Sequence, residues 1–119
     1  MVEKFKEILQ SLLTAHSGGV YIFAIMQMDE LVDKWTVVLS ASWATEETRK
    51  EVFEEIRSLL VGKLDTKQLS SIARIGQFSK TEHLIEELLK YQKGAVIENT
   101  RINGNLVYKG YILESSPQA

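Results

Sequence analysis

Three carboxylates lie close together outside any predicted helix, and they are the side chains of this chain best suited to hold a cation. Asp29, Glu30 and Asp33 stand within one short segment. Carboxylate oxygens are hard ligands of the kind that Mg²⁺ and Ca²⁺ prefer. The segment lacks the ligand number and the central glycine of an EF-hand loop. The pattern therefore favours a polar loop between two strands, and a cation site is the alternative.

The histidines give little support to nucleophilic or acid–base catalysis. His16 follows the first predicted helix and has no histidine partner nearby in sequence. A catalytic triad would require His16 to meet Ser17, Ser40 or Ser42 across the fold, and none of these serines stands in a G-x-S-x-G turn. Cysteine is absent, which excludes disulfides, thiolate metal sites and a thiolate nucleophile. The sequence predicts no catalytic residue, no metal and no cofactor.

The composition is typical of a soluble globular domain. The chain has 119 residues, of which 45% are hydrophobic and 25% charged, as expected for one domain. The net charge of −2 disfavours charge-driven binding to nucleic acids or anionic membranes. No apolar run approaches the roughly 20 residues of a membrane span, and the N-terminus lacks the apolar core of a secretory signal. The predicted location is therefore cytoplasmic.

Apolar residues that recur every three or four positions predict three helices. The first covers about 2–15 and ends at Ser17-Gly18-Gly19, which precedes a strand and so does not resemble a phosphate-binding loop. The second begins at the N-cap Thr45 and ends near Gly62, and the third begins at a capping box over 79–82. The inward-facing residues are predicted to be Phe5, Ile8, Leu9, Leu12, Leu13, Val52, Phe53, Ile56, Leu59, Leu60, Leu84, Ile85, Leu88, Leu89 and Tyr91.

Five strands are predicted around these helices. The run 20–26 is almost entirely apolar, which indicates a strand covered on both faces. The run 35–43 alternates, and 72–78 forms a third strand. Asn103-Gly104 predicts a type I′ hairpin that places Glu98 opposite Lys109. We expect Ala95, Ile97, Leu106, Tyr108 and Ile112 to face the helices, and Glu98, Lys109 and Tyr111 to face outward.

Trp35 and Trp43 flank the alternating strand eight residues apart, so both side chains share one face. A covered face would make both rings core residues, which is the favoured alternative. An uncovered face would make them a protein-binding patch, because Trp is enriched at interface hot spots.

The resulting order is α-β-β-α-β-α-β-β, an α+β fold with a five-stranded, mainly antiparallel sheet and three packed helices. A ferredoxin-like variant is the alternative. A single domain is predicted over 1–114, followed by a disordered tail over 115–119 that contains the one proline.

The segment Asp33-Lys34-Trp35-Thr36-Val37-Val38-Leu39-Ser40-Ala41-Ser42-Trp43 resembles a segment in a group of small prokaryotic α+β proteins without a known activity. In that group a similar strand ends in Ser-Ala-x-Trp and precedes a charged helix and a C-terminal hairpin. Where the group often has proline before the second Trp, this chain has Ser42. The resemblance implies a fold and transfers no site residues.

Three functions are compatible with these patterns. The leading hypothesis is a non-catalytic interaction module that forms a homodimer, with Trp35, Trp43, Lys109 and Tyr111 as candidate contact residues. The second is a ligand-binding protein or enzyme with a pocket between sheet and helices, for which the candidate polar groups are His16, Asp29, Glu30, Asp33 and Arg101. The third is single-stranded nucleic-acid binding through Lys109 and Tyr111, since bases stack on aromatic rings beside cations.

Overall fold

The structure of the chain is a computed structural model that describes residues 1–28 and 33–118. Its helices and strands follow one another in the predicted order, with one additional short helix. The elements are α1 (Val2–His16), β1 (Val20–Met28), β2 (Trp35–Ala41), α2 (Arg49–Lys63), α3 (Thr66–Ser70), β3 (Ile72–Gln77), α4 (His83–Leu88), β4 (Val96–Ile102) and β5 (Asn105–Ser115).

The five strands form one sheet in the order β3-β2-β1-β5-β4. All neighbouring pairs are antiparallel except β2 and β3, which run parallel. A parallel pair needs a crossover connection, and α2 and α3 supply it. The predicted α+β class with a mainly antiparallel five-stranded sheet is therefore confirmed, and the helices number four in the described chain rather than three.

Helices cover both faces of this sheet. On one face, α1 and α2 pack against Phe23, Ile25, Val37 and Leu39. On the other face, α4 packs with the residues of β1 and the hairpin. The central strand β1 is covered on both sides, as its apolar run predicts. The buried residues of the α4 face are Ile22, Ala24, Met26, Met28, Val38, Leu84, Ile85, Leu88, Ile97, Ile102, Val107 and Ile112.

The helix ends follow from local capping chemistry, with one correction. Ser17 takes a left-handed conformation with a φ of 56°, and the Gly18 N–H donates to the Leu13 carbonyl, which ends α1 as predicted. Gly62 was predicted to lie beyond the end of α2, and this is wrong. The helix continues through Gly62 to Lys63, and extended backbone at Leu64 ends it.

Two further helix boundaries differ from the sequence prediction. The start of α2 is Arg49 rather than the residues after Thr45, because the Thr48 hydroxyl donates to the Trp43 carbonyl and holds a turn before the helix. The third predicted helix is α4, which ends at Leu88 and so excludes Leu89 and Tyr91, two of its predicted inward-facing residues. Such ends are set by contacts with the sheet as much as by propensity.

The hairpin has the predicted register, and the face assignments of Tyr108 and Tyr111 are wrong. Glu98 pairs with Lys109, and both residues of the Asn103-Gly104 turn have positive φ, as a type I′ turn requires. Asn99 has a φ of 46°, and the β1–β5 register shifts beside Val107. These irregularities interrupt the alternation of the strands. Val107 is therefore buried against α4, whereas Tyr108, predicted to face inward, is 41% exposed.

Candidate functional site

The Trp face of β2 is the face that α1 and α2 cover. Trp35 and Trp43 are both partly buried against the core cluster of that face. The Trp35 ring lies 6.0 Å from the ring of Tyr111, centroid to centroid. Tyr111, predicted to face outward, is therefore partly buried, and Lys109 lies over its ring at 5.8 Å. This packing agrees with the core alternative for the two tryptophans.

His16 joins the end of α1 to α2 and does not meet a nucleophile. Its Nε2 lies 2.8 and 3.0 Å from the two carboxylate oxygens of Glu55, and its ring stacks on Trp43 at 3.7 Å. The Trp43 Nε1 donates to the Gly18 carbonyl at 2.9 Å. Within the described part of the chain, no serine hydroxyl hydrogen-bonds with His16. Glu55 escaped sequence analysis because it belongs to the charged face of α2, which is typical of a solvated surface.

The polar groups proposed for a pocket do not converge where the structure describes them. Asp29 and Glu30 lie outside the described residues. Asp33 is exposed with a φ of 62°, and Arg101 is exposed beside the hairpin turn, where it donates to the Gly104 carbonyl at 3.4 Å. His16 belongs to the α1–α2 contact instead. Residues 1–28 and 33–118 contain no cluster of three His, Asp or Glu side chains placed to hold a metal ion.

The strand β3 forms one edge of the sheet and pairs only with β2 among the described strands. Phe78, the residue that follows β3, donates its N–H to the Leu39 carbonyl of β2 at 2.9 Å. Because the peptide groups of successive strand residues point to opposite sides, Gly76 also faces β2, while Ile75 and Gln77 face away from it. An outward row of N–H and C=O groups is a template for another strand. The Gln77 carbonyl of this row accepts a 3.4 Å hydrogen bond from Arg49.

An apolar groove runs beside this edge, between β3 and α2. One cavity of about 470 Å³ has Phe53, Ile56 and Ile75 in its wall. A neighbouring cavity of about 390 Å³ continues along Leu69 and Ile72. Phe53 is 42% exposed, although its helical position predicts a core residue. The groove therefore presents aromatic and aliphatic surface directly beside the unpaired strand edge.

Charged side chains surround the mouth of the groove. Glu46 pairs with Arg49 at 2.7 Å, and Lys50 and Glu47 stand next to them. The pKa of Glu47 lies below its usual value because its own backbone N–H and the Thr45 hydroxyl donate to the carboxylate. Both signs of charge alternate here, so the rim is suited to protein surface of mixed charge rather than to a polyanion.

The opposite sheet edge, β4, is less suited to strand pairing. Asn99 interrupts it with a left-handed residue at its centre. A left-handed residue interrupts the regular row of outward N–H and C=O groups, and a regular row is what an incoming strand pairs with. Val96 is half exposed on this edge. The two edges of the sheet are therefore not equivalent.

A smaller cavity lies on the other face of β3, between the sheet, α4 and the hairpin turn. Its volume is about 300 Å³. The Arg74 Nε donates to the Thr36 Oγ1 at 3.2 Å in its wall, and Thr36 is only 3% exposed. Sequence analysis missed this pair because the two residues are 38 positions apart and meet only through the parallel pairing of β2 and β3.

No helix in the described residues is long and apolar enough to span a bilayer. Comparison of the chain with models of known protein families, with curated proteins and with solved structures found no match.

Proposed function

We propose that this chain is a non-catalytic interaction domain that forms a homodimer by pairing the edge strands β3 of two copies. The observation that carries the proposal is the open β3 edge beside the Phe53 groove, set against a β4 edge interrupted at Asn99. Strand addition of this kind derives affinity from main-chain hydrogen bonds and specificity from pockets for alternate side chains.

The hydrogen-bonding pattern of β3 is self-complementary. In an antiparallel pair, directly opposed residues can exchange both N–H···O bonds. Ile75 faces away from β2, so a two-fold axis at Ile75 lets it exchange both bonds with Ile75 of a second copy. Oligomers with two-fold symmetry use the same patch on both subunits, as this arrangement does.

Charge selects this register over its neighbour. Arg74 is the one charged residue of β3. A register shifted by one residue toward the start of the strand sets Arg74 opposite Arg74 of the second copy, which like-charge repulsion disfavours. With Ile75 on the axis, Arg74 is opposite Gly76, which has no side chain to collide with it.

The groove adds apolar surface to the paired strands. Ile75 lies in the groove wall with Phe53, so an axis at Ile75 brings the grooves of two copies together on the α2 side. Aromatic residues at the centre of an interface contribute a large share of its binding energy. The dimer would bury the exposed part of Phe53, which explains why this side chain is exposed in a single copy.

A charge-swap experiment tests both the interface and its register. Ile75→Lys and Ile75→Glu each place like charges opposite one another on the axis, so each variant alone is expected to be monomeric. An equimolar mixture is expected to form a heterodimer. Sedimentation velocity from 1 to 200 µM measures this, with circular dichroism to confirm that each variant folds.

The matched control applies the same swap to Val96 on the β4 edge, which should leave the wild-type dimer unchanged. A second comparison sets Phe53→Glu against Val61→Glu, because both residues are exposed on α2 but only Phe53 lines the groove. Wild-type protein that stays monomeric at 200 µM refutes the proposal. Dimerisation that Val96 variants abolish and Ile75 variants do not would refute the assignment to β3.

A further inference from the structure

The turn between β4 and β5 has the residues for a covalent modification that the chain carries out on itself. Asn103 and Gly104 form this turn, and both residues are exposed and have positive φ. Glycine has no side chain to obstruct an approach to its backbone nitrogen. We propose that Asn103 is a deamidation site, at which its side chain cyclises onto the Gly104 nitrogen with the help of His83.

The reaction needs only water as a second reactant. The Gly104 nitrogen attacks the side-chain Cγ of Asn103 and gives up its proton, and the side-chain nitrogen of Asn103 leaves as ammonia. The product of this step is a cyclic imide that contains both carbonyl groups of the residue. Water then opens the imide at one carbonyl or the other, which gives aspartate or isoaspartate. In isoaspartate the main chain runs through the side-chain carbons.

His83 is placed to polarise the carbonyl group that the nitrogen attacks. Its Nδ1 lies 2.8 Å from the Asn103 Oδ1. A carbonyl oxygen only accepts hydrogen bonds, so the His83 Nδ1 carries the hydrogen and donates it. Negative charge grows on Oδ1 during the attack, and a donor that is already in place stabilises that charge. This hydrogen bond therefore lowers the barrier to cyclisation.

The helix that supplies His83 also holds the backbone of the reacting residue. The Glu87 carboxylate accepts the Asn103 backbone N–H, and Glu87 lies one turn after His83 in α4. Leu84 and Ile85 of the same helix are buried against the sheet. Two contacts from one packed helix therefore keep Asn103 beside its hydrogen-bond donor, and such positioning favours reaction.

The modification would change the hairpin as well as the residue. Isoaspartate adds a methylene group to the main chain of the turn, and the register that sets Ile102 opposite Asn105 depends on a two-residue turn. Ile102 is buried in the cluster on the α4 face, so a shifted register would remove apolar contacts there. Deamidation would therefore loosen this end of the domain as the protein ages.

The chain contains its own matched controls, because its three asparagines, Asn99, Asn103 and Asn105, all lie in this hairpin. Purified protein is incubated at neutral pH and sampled over several weeks. Tryptic peptide mapping separates Asn99 from the turn, and mass-spectrometric fragmentation distinguishes Asn103 from Asn105. We expect Asn103 to react roughly tenfold faster than the other two, because glycine follows it and residues with side chains follow them.

Two variants test the part that His83 plays. His83→Ala removes the donor and should slow the reaction at Asn103 about fivefold, as expected for the loss of one hydrogen bond. His83→Asn places an amide donor near the position of Nδ1 and should restore most of the rate. Glu86→Ala, exposed on the same helix, is the control and should leave the rate unchanged. Circular dichroism confirms that each variant folds.

Equal rates at the three asparagines would overturn the proposal. So would a rate at Asn103 that His83→Ala leaves unchanged or raises, because the contact with His83 would then not promote the reaction. The proposal is independent of dimer formation, since all of the reacting groups belong to one copy of the chain.

Discussion

Replacing Ser40 by alanine is expected to stabilise this protein. Ser40 is fully buried on β2, and its Oγ has no hydrogen-bond partner among the described residues. A buried hydroxyl without a partner loses its hydrogen bonds to water on folding and regains none, at a cost of about 1–3 kcal/mol. Alanine removes the hydroxyl and leaves the backbone of the strand unchanged.

The expected size of the effect follows from two opposing contributions. Removing the unsatisfied hydroxyl is worth about 1–3 kcal/mol, and losing the van der Waals contacts of one buried atom offsets roughly 0.5–1 kcal/mol. The net gain is about 1 kcal/mol. For 119 residues at about 2.1 cal/mol/K per residue, the unfolding entropy is about 0.25 kcal/mol/K, so Tm should rise by about 4 °C.

Urea denaturation followed by circular dichroism measures the change in the free energy of unfolding. Thr36→Val is the matched contrast, because its hydroxyl on the same strand accepts from Arg74, and its loss should destabilise by about 1–2 kcal/mol. Ser42→Ala is the exposed control and should change little. If Ser40→Ala instead lowers stability by 1 kcal/mol or more, Ser40 has a partner or a role that the packing does not reveal, and the reasoning fails.

Two further predictions concern the contacts of α1 and α2. Gly19→Ala should destabilise the protein by about 2 kcal/mol or more, because a Cβ at this position lies 2.5 Å from the Ser42 Oγ and φ is 80°. Gly62→Ala, inside α2 with open space around it, should stabilise the protein by about 0.5–1 kcal/mol. Urea denaturation midpoints that shift in the same direction for both variants would contradict this prediction. Glu55→Ala should cost about 0.5–1 kcal/mol by releasing His16, a modest value because both side chains remain partly exposed. Glu54→Ala, an exposed neighbour, should show no comparable loss in the same assay.

The sequence predicts those parts of the fold that depend on local chemistry. The Asn103-Gly104 turn fixes the hairpin register because its backbone twist admits only one pairing of the flanking strands. The predicted side-chain faces of that hairpin fail at Tyr108, which is exposed, and Val107 is buried instead. The left-handed backbone at Asn99 and the shift of the β1–β5 register between Lys109 and Val107 decide these faces, and neither follows from a residue pattern.

The candidate surfaces depend on contacts between distant parts of the chain, which periodicity does not reveal. Phe53 occupies a position of α2 that predicts burial, yet it is exposed beside the edge strand β3. Arg74 and Thr36 come together through the parallel pairing of two strands separated by α2 and α3. The Trp positions, in contrast, follow from strand alternation, and the packing agrees with their prediction as core residues.

The pairing of β5 with β1 affects the synthesis of the chain as well as the stability of the folded domain. The second strand edge of β1 has no partner until the last strand in the sequence arrives. Between Met28 and Asn105 lie enough residues that synthesis at about 5–20 residues per second takes roughly 4 to 15 s. For that interval the most apolar strand of the protein keeps an open edge on the ribosome. Chaperone engagement and nascent-chain aggregation should therefore concentrate on β1, a strand that the completed domain buries on both faces.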